Sequence, residues 1–275
     1  MRSKMDTSFR DLHRPSAPFI LANAWDVGSA RTLAALGAEA LATSSAAFAF
    51  TLGLPDGGAG REATLEHSRM LVEATPLPVS GDFENGFGDS PEAVAETVRL
   101  AAEAGLAGCS IEDTMGRGSY PFEAAVERIE AAVEAAHNAI VATGRDFVLV
   151  ARADGMLVST YDNDEAIRRL KAFSGAGADV LYAPMPPDME GLAAQCRAVD
   201  KPVNGLCAGR FTRYSRAEFA SAGVARISLG STLARATHKI ILDAGRAMFE
   251  AGDFSALSEV AASSVVDPML TPFAK

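Results

Sequence analysis

The sequence is poor in cysteine and in basic residues. Its three cysteines, Cys109, Cys196 and Cys207, form no closely spaced pair, so we expect no disulfide framework and a reducing, cytoplasmic location. The four histidines lack the spacing of a zinc site. Lys and Arg number 25 against 35 Asp and Glu, and the net charge of −10 argues against nucleic acid or an anionic membrane as partner.

Long apolar runs are also absent. No run approaches the roughly 18 residues that a membrane-spanning helix needs, and the charged segment 1–18 has no apolar stretch typical of a secretory signal. Hydrophobic residues nevertheless make up 48% of the 275 residues and charged residues 22%, which is typical of a globular protein with a large core. Disorder of the whole chain is therefore excluded.

From residue 19 onward the sequence repeats a short apolar run, a loop and an alanine-rich helical segment. The runs lack polar alternation, which is typical of strands covered on both faces in a parallel sheet. Eight strands are predicted, at 19–23, 38–44, 78–82, 107–112, 147–152, 179–183, 202–206 and 224–228. Helices are predicted at 27–36, 62–74, 91–104, 122–143, 163–175, 188–199, 215–222, 233–251 and 254–264.

Eight strands alternating with helices over about 250 residues favour a (β/α)8 barrel of the TIM type. An open, doubly wound sheet is the alternative. No linker rich in Gly, Ser or Pro divides the chain, so we predict one barrel domain over residues 1–275. A short N-terminal extension precedes the barrel in this prediction, and the last C-terminal helix is one more than a barrel needs.

Acidic residues stand at the predicted carboxyl ends of the strands, where such barrels hold their active sites. Asp82 ends the third strand and Glu84 follows it, Glu112 ends the fourth, and Asp56 lies in the loop after the second. An all-oxygen set without His or Cys suits Mg²⁺ or Mn²⁺. The structural alternative is that these acids only cap the helices that follow.

Arg152 ends the fifth predicted strand, beside these acids. Because an unpaired buried guanidinium is costly, we expect it to hold a substrate carboxylate through two hydrogen bonds. An ion pair with a neighbouring acid is the alternative. Ser45, Ala46 and Ala47 follow the second strand, and backbone N–H groups of such small residues can approach an anion closely.

Seven segments of the sequence, taken together and in this order, indicate a family resemblance. They read NAWDVGSARTLAALGAEALATSSAAFAFTLGLPDG, PVSGDFENGFG, GCSIED, VARADG, AGADVLYAP, PVN and GVARISLG. From about Phe19 to Gly230 the chain thereby resembles the isocitrate lyase/phosphoenolpyruvate mutase superfamily. The resemblance implies a (β/α)8 barrel whose eighth helix is swapped between subunits of a homodimer or homotetramer. It also implies a Mg²⁺ cofactor and a small anionic 2-oxo or 2-hydroxy acid as substrate.

The resemblance also implies roles for the acids and the arginine. Asp82 matches the family's Mg²⁺ ligand, and Glu84 takes the place of its second carboxylate. Glu112 and Asp56 match acids that hold metal-bound waters, so we expect Glu112 in the metal group with Asp82 and Glu84, and Glu112, Asp56 and Arg152 as the catalytic residues. Arg152 matches the arginine that binds a substrate carboxylate or phosphoryl group.

Substrate-binding residues are implied in the same way. Ser45, with Ala46 and Ala47, matches the segment that binds the carboxylate of a 2-oxo acid. Trp25 matches a ring that lines the pocket. Asn204 matches a polar residue of the seventh strand.

The loop after the fourth strand departs from the family pattern. Lyases that split isocitrate or methylisocitrate carry Lys-Lys/Arg-Cys-Gly-His there, with the cysteine as general acid. This chain reads TMGRGSYP over 114–121, without cysteine, lysine or histidine, and the loop asparagine or lysine of phosphonate-processing members is missing as well. Ser119, Tyr120 or a bound water would have to supply the proton.

These features favour a Mg²⁺-dependent carbon–carbon lyase that acts on a 2-hydroxy or 2-oxo di- or tricarboxylate. Phosphoenolpyruvate mutase or phosphonopyruvate hydrolase chemistry at a P–C bond is a second hypothesis, since it uses the same metal and the same arginine. A protein that binds a 2-oxo acid with little catalysis is a third, and the altered loop motivates it.

Overall fold

A computed structural model describes residues 8–273, and eight parallel strands form a closed barrel at its centre. The strands are Phe19–Asn23 (β1), Ala40–Ala42 (β2), Val79–Asp82 (β3), Gly108–Glu112 (β4), Thr114–Met115 (β5), Gly118–Ser119 (β6), Val148–Arg152 (β7), Val180–Tyr182 (β8), Val203–Leu206 (β9) and Arg226–Ser228 (β10). Strands β5 and β6 form a separate antiparallel hairpin, and the other strands close the barrel in the order β1-β10-β9-β8-β7-β4-β3-β2. The predicted (β/α)8 barrel is confirmed.

Helices follow the barrel strands. They are Val27–Ala35 (α1), Ser45–Thr51 (α2), Arg61–Ala74 (α3), Pro91–Glu103 (α4), Phe122–Thr143 (α5), Asn163–Gly175 (α6), Met189–Ala198 (α7), Arg216–Ser221 (α8), Thr232–Arg246 (α9) and Ser263–Leu270 (α10). Predicted starts at 188 and 215 are in fact the caps, because the side chains of Asp188 and Ser215 accept hydrogen bonds from the first turns of α7 and α8. No helix within residues 8–273 is both long and apolar enough to cross a bilayer.

Helix α2 was not predicted, because its residues read as the small, loop-like end of the second strand. The side chain of Ser44 accepts a hydrogen bond from the backbone N–H of Ala47 at 3.4 Å and so caps the helix. Its first turn carries Ala46 and Ala47, which are buried. The segment that follows β2 is therefore a rigid helical turn at the carboxyl end of the barrel.

The predicted helix at 254–264 is wrong. Before Ser263 that segment holds only a 3₁₀ turn, Ser255–Leu257, and the helix begins there as α10, Ser263–Leu270. Arg31 of α1 donates a hydrogen bond to the carbonyl oxygen of Leu270 at 3.1 Å. Because a helix this short is marginal alone, packing against α1 decides where it forms.

Helix α9 carries an uncovered apolar face. Ile240, Ile241 and Leu242 are 63%, 66% and 56% exposed, and Phe249 just beyond the helix is 89% exposed. Within the described chain α9 packs mainly against the residues that directly follow it. The exchange of this helix between subunits stays a prediction.

The segment before β1 packs against the amino ends of the barrel strands. Phe9 and Leu12 are buried with Phe19 in one apolar cluster, and His13 lies beside them. The Nδ1 of His13 lies 2.9 Å from the carbonyl oxygen of Phe9, and Arg226 approaches its Nε2 at 3.4 Å. Burial, together with the nearby Arg226 charge, lowers the pKa of His13 to about 3.

This depressed pKa makes stability depend on pH. An unfolded histidine takes up a proton near pH 6.5, whereas folded His13 does so only near pH 3. Stability is therefore lost as pH falls through this window, with a slope of up to about 1.4 kcal/mol per pH unit. We expect His13→Gln to flatten the slope in urea unfolding between pH 6.5 and 4. The exposed His137→Gln serves as control, and equal slopes in the wild type and His13→Gln would contradict the assignment.

Candidate active site

Arg152, the last residue of β7, joins carboxylates from three neighbouring positions of the barrel. Its Nη1 donates to Asp82 Oδ1 at 2.7 Å, while Nε and Nη2 donate to the two oxygens of Asp154 at 3.1 and 2.5 Å. The Nη2 atom also lies 3.2 Å from Glu112 Oε2. Glu112 of β4 and Arg152 of β7 are paired in the strand register, so the two residues lie at the same height along the barrel axis. The guanidinium is therefore held by three acids.

Asp82 is fixed from its other side by helix α2. Its Oδ2 accepts hydrogen bonds from both the backbone N–H and the hydroxyl of Ser45, each at 3.0 Å. The backbone N–H of Asp82 donates to Thr43 Oγ1 at 2.7 Å. Ser45 thus lies at the site, where it contacts the Asp82 carboxylate directly.

Asp56 and Glu84 add negative charge next to Asp82. Burial, reinforced by the charges of Asp82 and Asp56, raises the pKa of Glu84 to about 7. Burial and the Asp82 charge likewise raise the pKa of Asp56. The Oε1 atom of Glu84 is buried and accepts no hydrogen bond within residues 8–273. The charge of Arg152 opposes both rises, but Arg152 also pairs with Glu112 and Asp154, so acids outnumber positive charges on this side of the site.

The donor set fits a divalent cation. Asp82 and Glu84 offer carboxylate oxygens, one of them unsatisfied, and Asp56 stands close enough for its charge to act on Glu84. No three His, Cys, Asp or Glu side chains of the described chain form a complete metal cage. Mg²⁺ keeps several waters and uses only one or two protein carboxylates, so such a cage is not required.

A cavity of about 600 Å³ extends from these acids into the barrel. Its lining includes Asp56, Asp82, Arg152, Ser45 and Ala46 among the predicted residues. Hydroxyl groups and two further arginines also line it: Thr43, Ser80, Ser110, Tyr182, Ser228, Arg226 and Arg235. The cavity therefore combines acids near its carboxyl-end opening with cationic and hydroxyl groups on its walls.

Other predicted residues lie outside this lining. Trp25 is half-buried, and its carbonyl oxygen contacts His67 Nε2 at 2.9 Å. Ala47 is buried within α2. Asn204 is fully buried and bridges Ser228 and Arg226, to which it hydrogen bonds at 2.9 and 2.8 Å.

Glu84 and Glu112 are likewise not among the residues that line the cavity. The hydroxyl of Thr114 donates to Glu112 Oε1 at 2.6 Å. Burial raises the pKa of Glu112 to about 8, and the Asp154 and Asp82 charges add to this rise against the effect of Arg152. Glu112 is therefore held between Thr114 and Arg152, next to the other acids of the site.

Comparison with known proteins assigns the chain to a family. The family model described as phosphoenolpyruvate phosphomutase matches residues 9–249. The chain belongs to the isocitrate lyase/phosphoenolpyruvate mutase superfamily. A crystal structure of a Burkholderia cenocepacia protein assigned as a lyase/mutase superposes with a TM-score of 0.89 at 45% identity, over 97% of this chain and 96% of that one.

Curated superfamily relatives give the same result. An uncharacterised protein of Mycobacterium tuberculosis is 35% identical over 229 residues, which is 82% of each chain. The 2-methylisocitrate lyase of Escherichia coli is 38% identical over 142 residues, which is 48% of this chain and 45% of that protein. The superfamily contains lyases and mutases, so an enzymatic function is supported.

The hairpin β5–β6 occupies the place of the superfamily's catalytic loop but does not line the cavity. The Ser119 hydroxyl forms a 2.5 Å hydrogen bond with Thr160 Oγ1. Tyr120 is buried and donates its hydroxyl to Asp89 Oδ1 at 2.6 Å. In this arrangement neither hydroxyl reaches the site.

Two contributors, Asp154 and Asn23, were not among the predicted site residues. Asp154 lies within the VARADG segment, two residues after Arg152, so the spacing offered a signal for their ion pair. Asn23, at the end of β1, offered none. Its amide donates to the Thr43 carbonyl at 2.7 Å, and its Oδ1 accepts from the N–H groups of Leu229 and Gly230 at 2.9 and 3.0 Å.

We expect Asn23→Ala to lower the free energy of unfolding by about 2–4 kcal/mol, because three backbone groups at the cavity rim lose their partner. The exposed Asn138→Ala serves as the matched control and should change stability by less than about 0.5 kcal/mol. Urea unfolding measures both. Equal stability of the two variants would show that Asn23 does not brace the rim.

Proposed function

We propose that this protein is a Mg²⁺-dependent carbon–carbon lyase that cleaves a 2-hydroxy or 2-oxo di- or tricarboxylate. The observation that carries the proposal is the group formed by Asp56, Asp82 and Glu84 next to the cavity, whose carboxylates outnumber the guanidinium of Arg152 that they share with Glu112 and Asp154. A divalent ion would balance this charge. When bound, such an ion stabilises negative charge that develops on the 2-oxygen of an oxo or hydroxy acid.

The roles of the protein groups follow from their contacts. Asp82 and Glu84 would hold the metal, and Asp56 and Glu112 would hold its waters and complete the catalytic group. Arg152 orients the Asp82 carboxylate and keeps positive charge beside the substrate. Its three carboxylate partners leave it less free to bind a substrate carboxylate alone than the sequence suggested.

The predicted substrate-binding residues fall into those that line the cavity and those that support its wall. Ser45 and Ala46 line the cavity and would contact the carboxylate of the acid next to Asp82. Trp25 and Ala47 would support this wall from behind. Asn204 would act through Arg226, which it holds. The similarity to a 2-methylisocitrate lyase supports cleavage of a carbon–carbon bond in an anionic substrate.

P–C bond chemistry is the second candidate. The matching family model carries the description phosphoenolpyruvate phosphomutase, and the hairpin lacks the cysteine of the carbon–carbon lyases. Turnover of phosphonopyruvate, without turnover of carboxylate substrates, would select this reaction.

We expect Asp82→Ala to abolish Mg²⁺-dependent turnover. Mutating a residue that only hydrogen bonds to a metal ligand typically lowers metal affinity or activity by roughly 10- to 100-fold. Removing a ligand itself should therefore lower activity by more than roughly 100-fold. The fold should persist because Arg152 keeps Asp154 and Glu112 as partners. The test is release of 2-oxo acid products from isocitrate, methylisocitrate, dimethylmalate and malate, with Mg²⁺ or EDTA.

Asp200→Ala, an exposed position away from the cavity, is the control and should retain full activity. Unchanged metal dependence in Asp82→Ala would overturn the metal assignment. Tight, Mg²⁺-dependent binding of 2-oxo acids without turnover of any substrate would instead select a binding protein.

We also propose a homodimer or homotetramer in which a second copy covers the exposed face of α9. Ile240, Ile241 and Phe249 form the uncovered part of this face. An apolar surface of this kind typically marks a contact with another protein. We expect sedimentation velocity to show an oligomer that Ile241→Glu dissociates, whereas a monomeric wild type would contradict the proposal.

A further inference from the structure

Arg226 is a buried guanidinium within the barrel that pairs with no carboxylate in residues 8–273. It begins β10 and is only 4% exposed. Its Nε donates to Asn204 Oδ1 at 2.8 Å, and its Nη1 lies 3.4 Å from His13 Nε2. Within the described chain its Nη2 has no hydrogen-bond partner, although Arg226 lines the cavity.

The described groups that contact Arg226 carry no negative charge. Burial lowers the pKa of His13 to about 3, so its imidazole carries no charge at neutral pH. Burial raises the pKa of Tyr182, whose hydroxyl therefore stays protonated. Burial also lowers the pKa of Arg226 to about 10, with a contribution from the Arg152 charge, and this still leaves the guanidinium charged.

The contrast with Arg152 indicates what Arg226 lacks. Both arginines line the same cavity, but Arg152 is neutralised by Asp82, Glu112 and Asp154. A buried charge without a partner is costly, and an anion bound in the cavity would remove that cost for Arg226. If Arg226 served only to hold the N-terminal segment, a neutral hydrogen-bond donor would be enough, because its partners Asn204 and His13 are neutral acceptors.

We propose that Arg226 forms an anion subsite on the inner wall of the cavity and binds a second carboxylate of the substrate. The first carboxylate would lie near Asp82 and the metal, at the carboxyl ends of the strands. This inference rests on the proposed function and adds to it a preference among substrates. The substrate would be a di- or tricarboxylate, and monocarboxylic oxo acids would bind weakly.

The test compares acids that differ only at the distal end. Calorimetry in Mg²⁺ would measure binding of 2-oxoglutarate against 2-oxopentanoate, and of oxaloacetate against 2-oxobutyrate. We expect the wild type to prefer the dicarboxylate of at least one pair by roughly 10- to 100-fold, the usual worth of a charged hydrogen bond. Arg226→Met should reduce that preference to near one while leaving monocarboxylate affinity unchanged.

Two further variants separate binding from structure. Arg226→Lys keeps the charge but loses the planar fork, so we expect it to retain only part of the preference, and this variant decides the question if Arg226→Met does not fold. Arg216→Met is the matched control, because Arg216 also holds the N-terminal segment, through the Pro18 carbonyl at 2.6 Å, but does not line the cavity. Its preference should equal that of the wild type.

An unchanged preference in Arg226→Met, or equal binding of both members of each pair by the wild type, would overturn the subsite. Inorganic phosphate tests the other source of the same chemistry. If Arg226→Met loses only stabilisation by phosphate, the site takes a free anion and the substrate role is wrong. If the wild type binds no 2-oxo acid with Mg²⁺, the proposed function itself fails.

Discussion

The ion pairs around Arg152 organise the carboxyl end of the barrel. Three acids from different strand ends, Asp82, Glu112 and Asp154, converge on one guanidinium. Without that positive charge the acids would repel one another, and burial would drive them to their neutral forms. Asp82 in turn anchors α2 through Ser45. The positions of the cavity wall and of the first helical turn after β2 therefore depend on Arg152.

Negative charge nevertheless exceeds positive charge at this end of the cavity. Asp56 and Glu84 have raised pKa values beside Asp82, and one buried oxygen of Glu84 accepts no hydrogen bond in the part of the chain that the structure describes. Farther inside the barrel the imbalance is reversed, because no carboxylate of residues 8–273 forms an ion pair with Arg226. A substrate with a metal-bound end and a distant carboxylate would satisfy both ends, which links the proposed chemistry to the proposed specificity.

Much of the fold could be predicted because strands covered on both faces read as short apolar runs. The carboxylates at their ends could be named too, since strand ends are visible in the sequence. Side-chain partnerships could not, because they depend on barrel register. The hydrogen bond between Asn204, a predicted substrate-binding residue, and Arg226 could not be read from the sequence, and α10 forms where it contacts α1 rather than over the predicted segment 254–264.

The central claim is that the acids at the mouth of the cavity hold a divalent metal. Crystals grown with Mn²⁺ and pyruvate, measured at the manganese absorption edge, test it most directly. The account predicts one anomalous peak in contact with carboxylate oxygens of Asp82 or Glu84, and its loss in Asp82→Ala. Ordered pyruvate in the cavity with no anomalous peak beside these residues would contradict the claim.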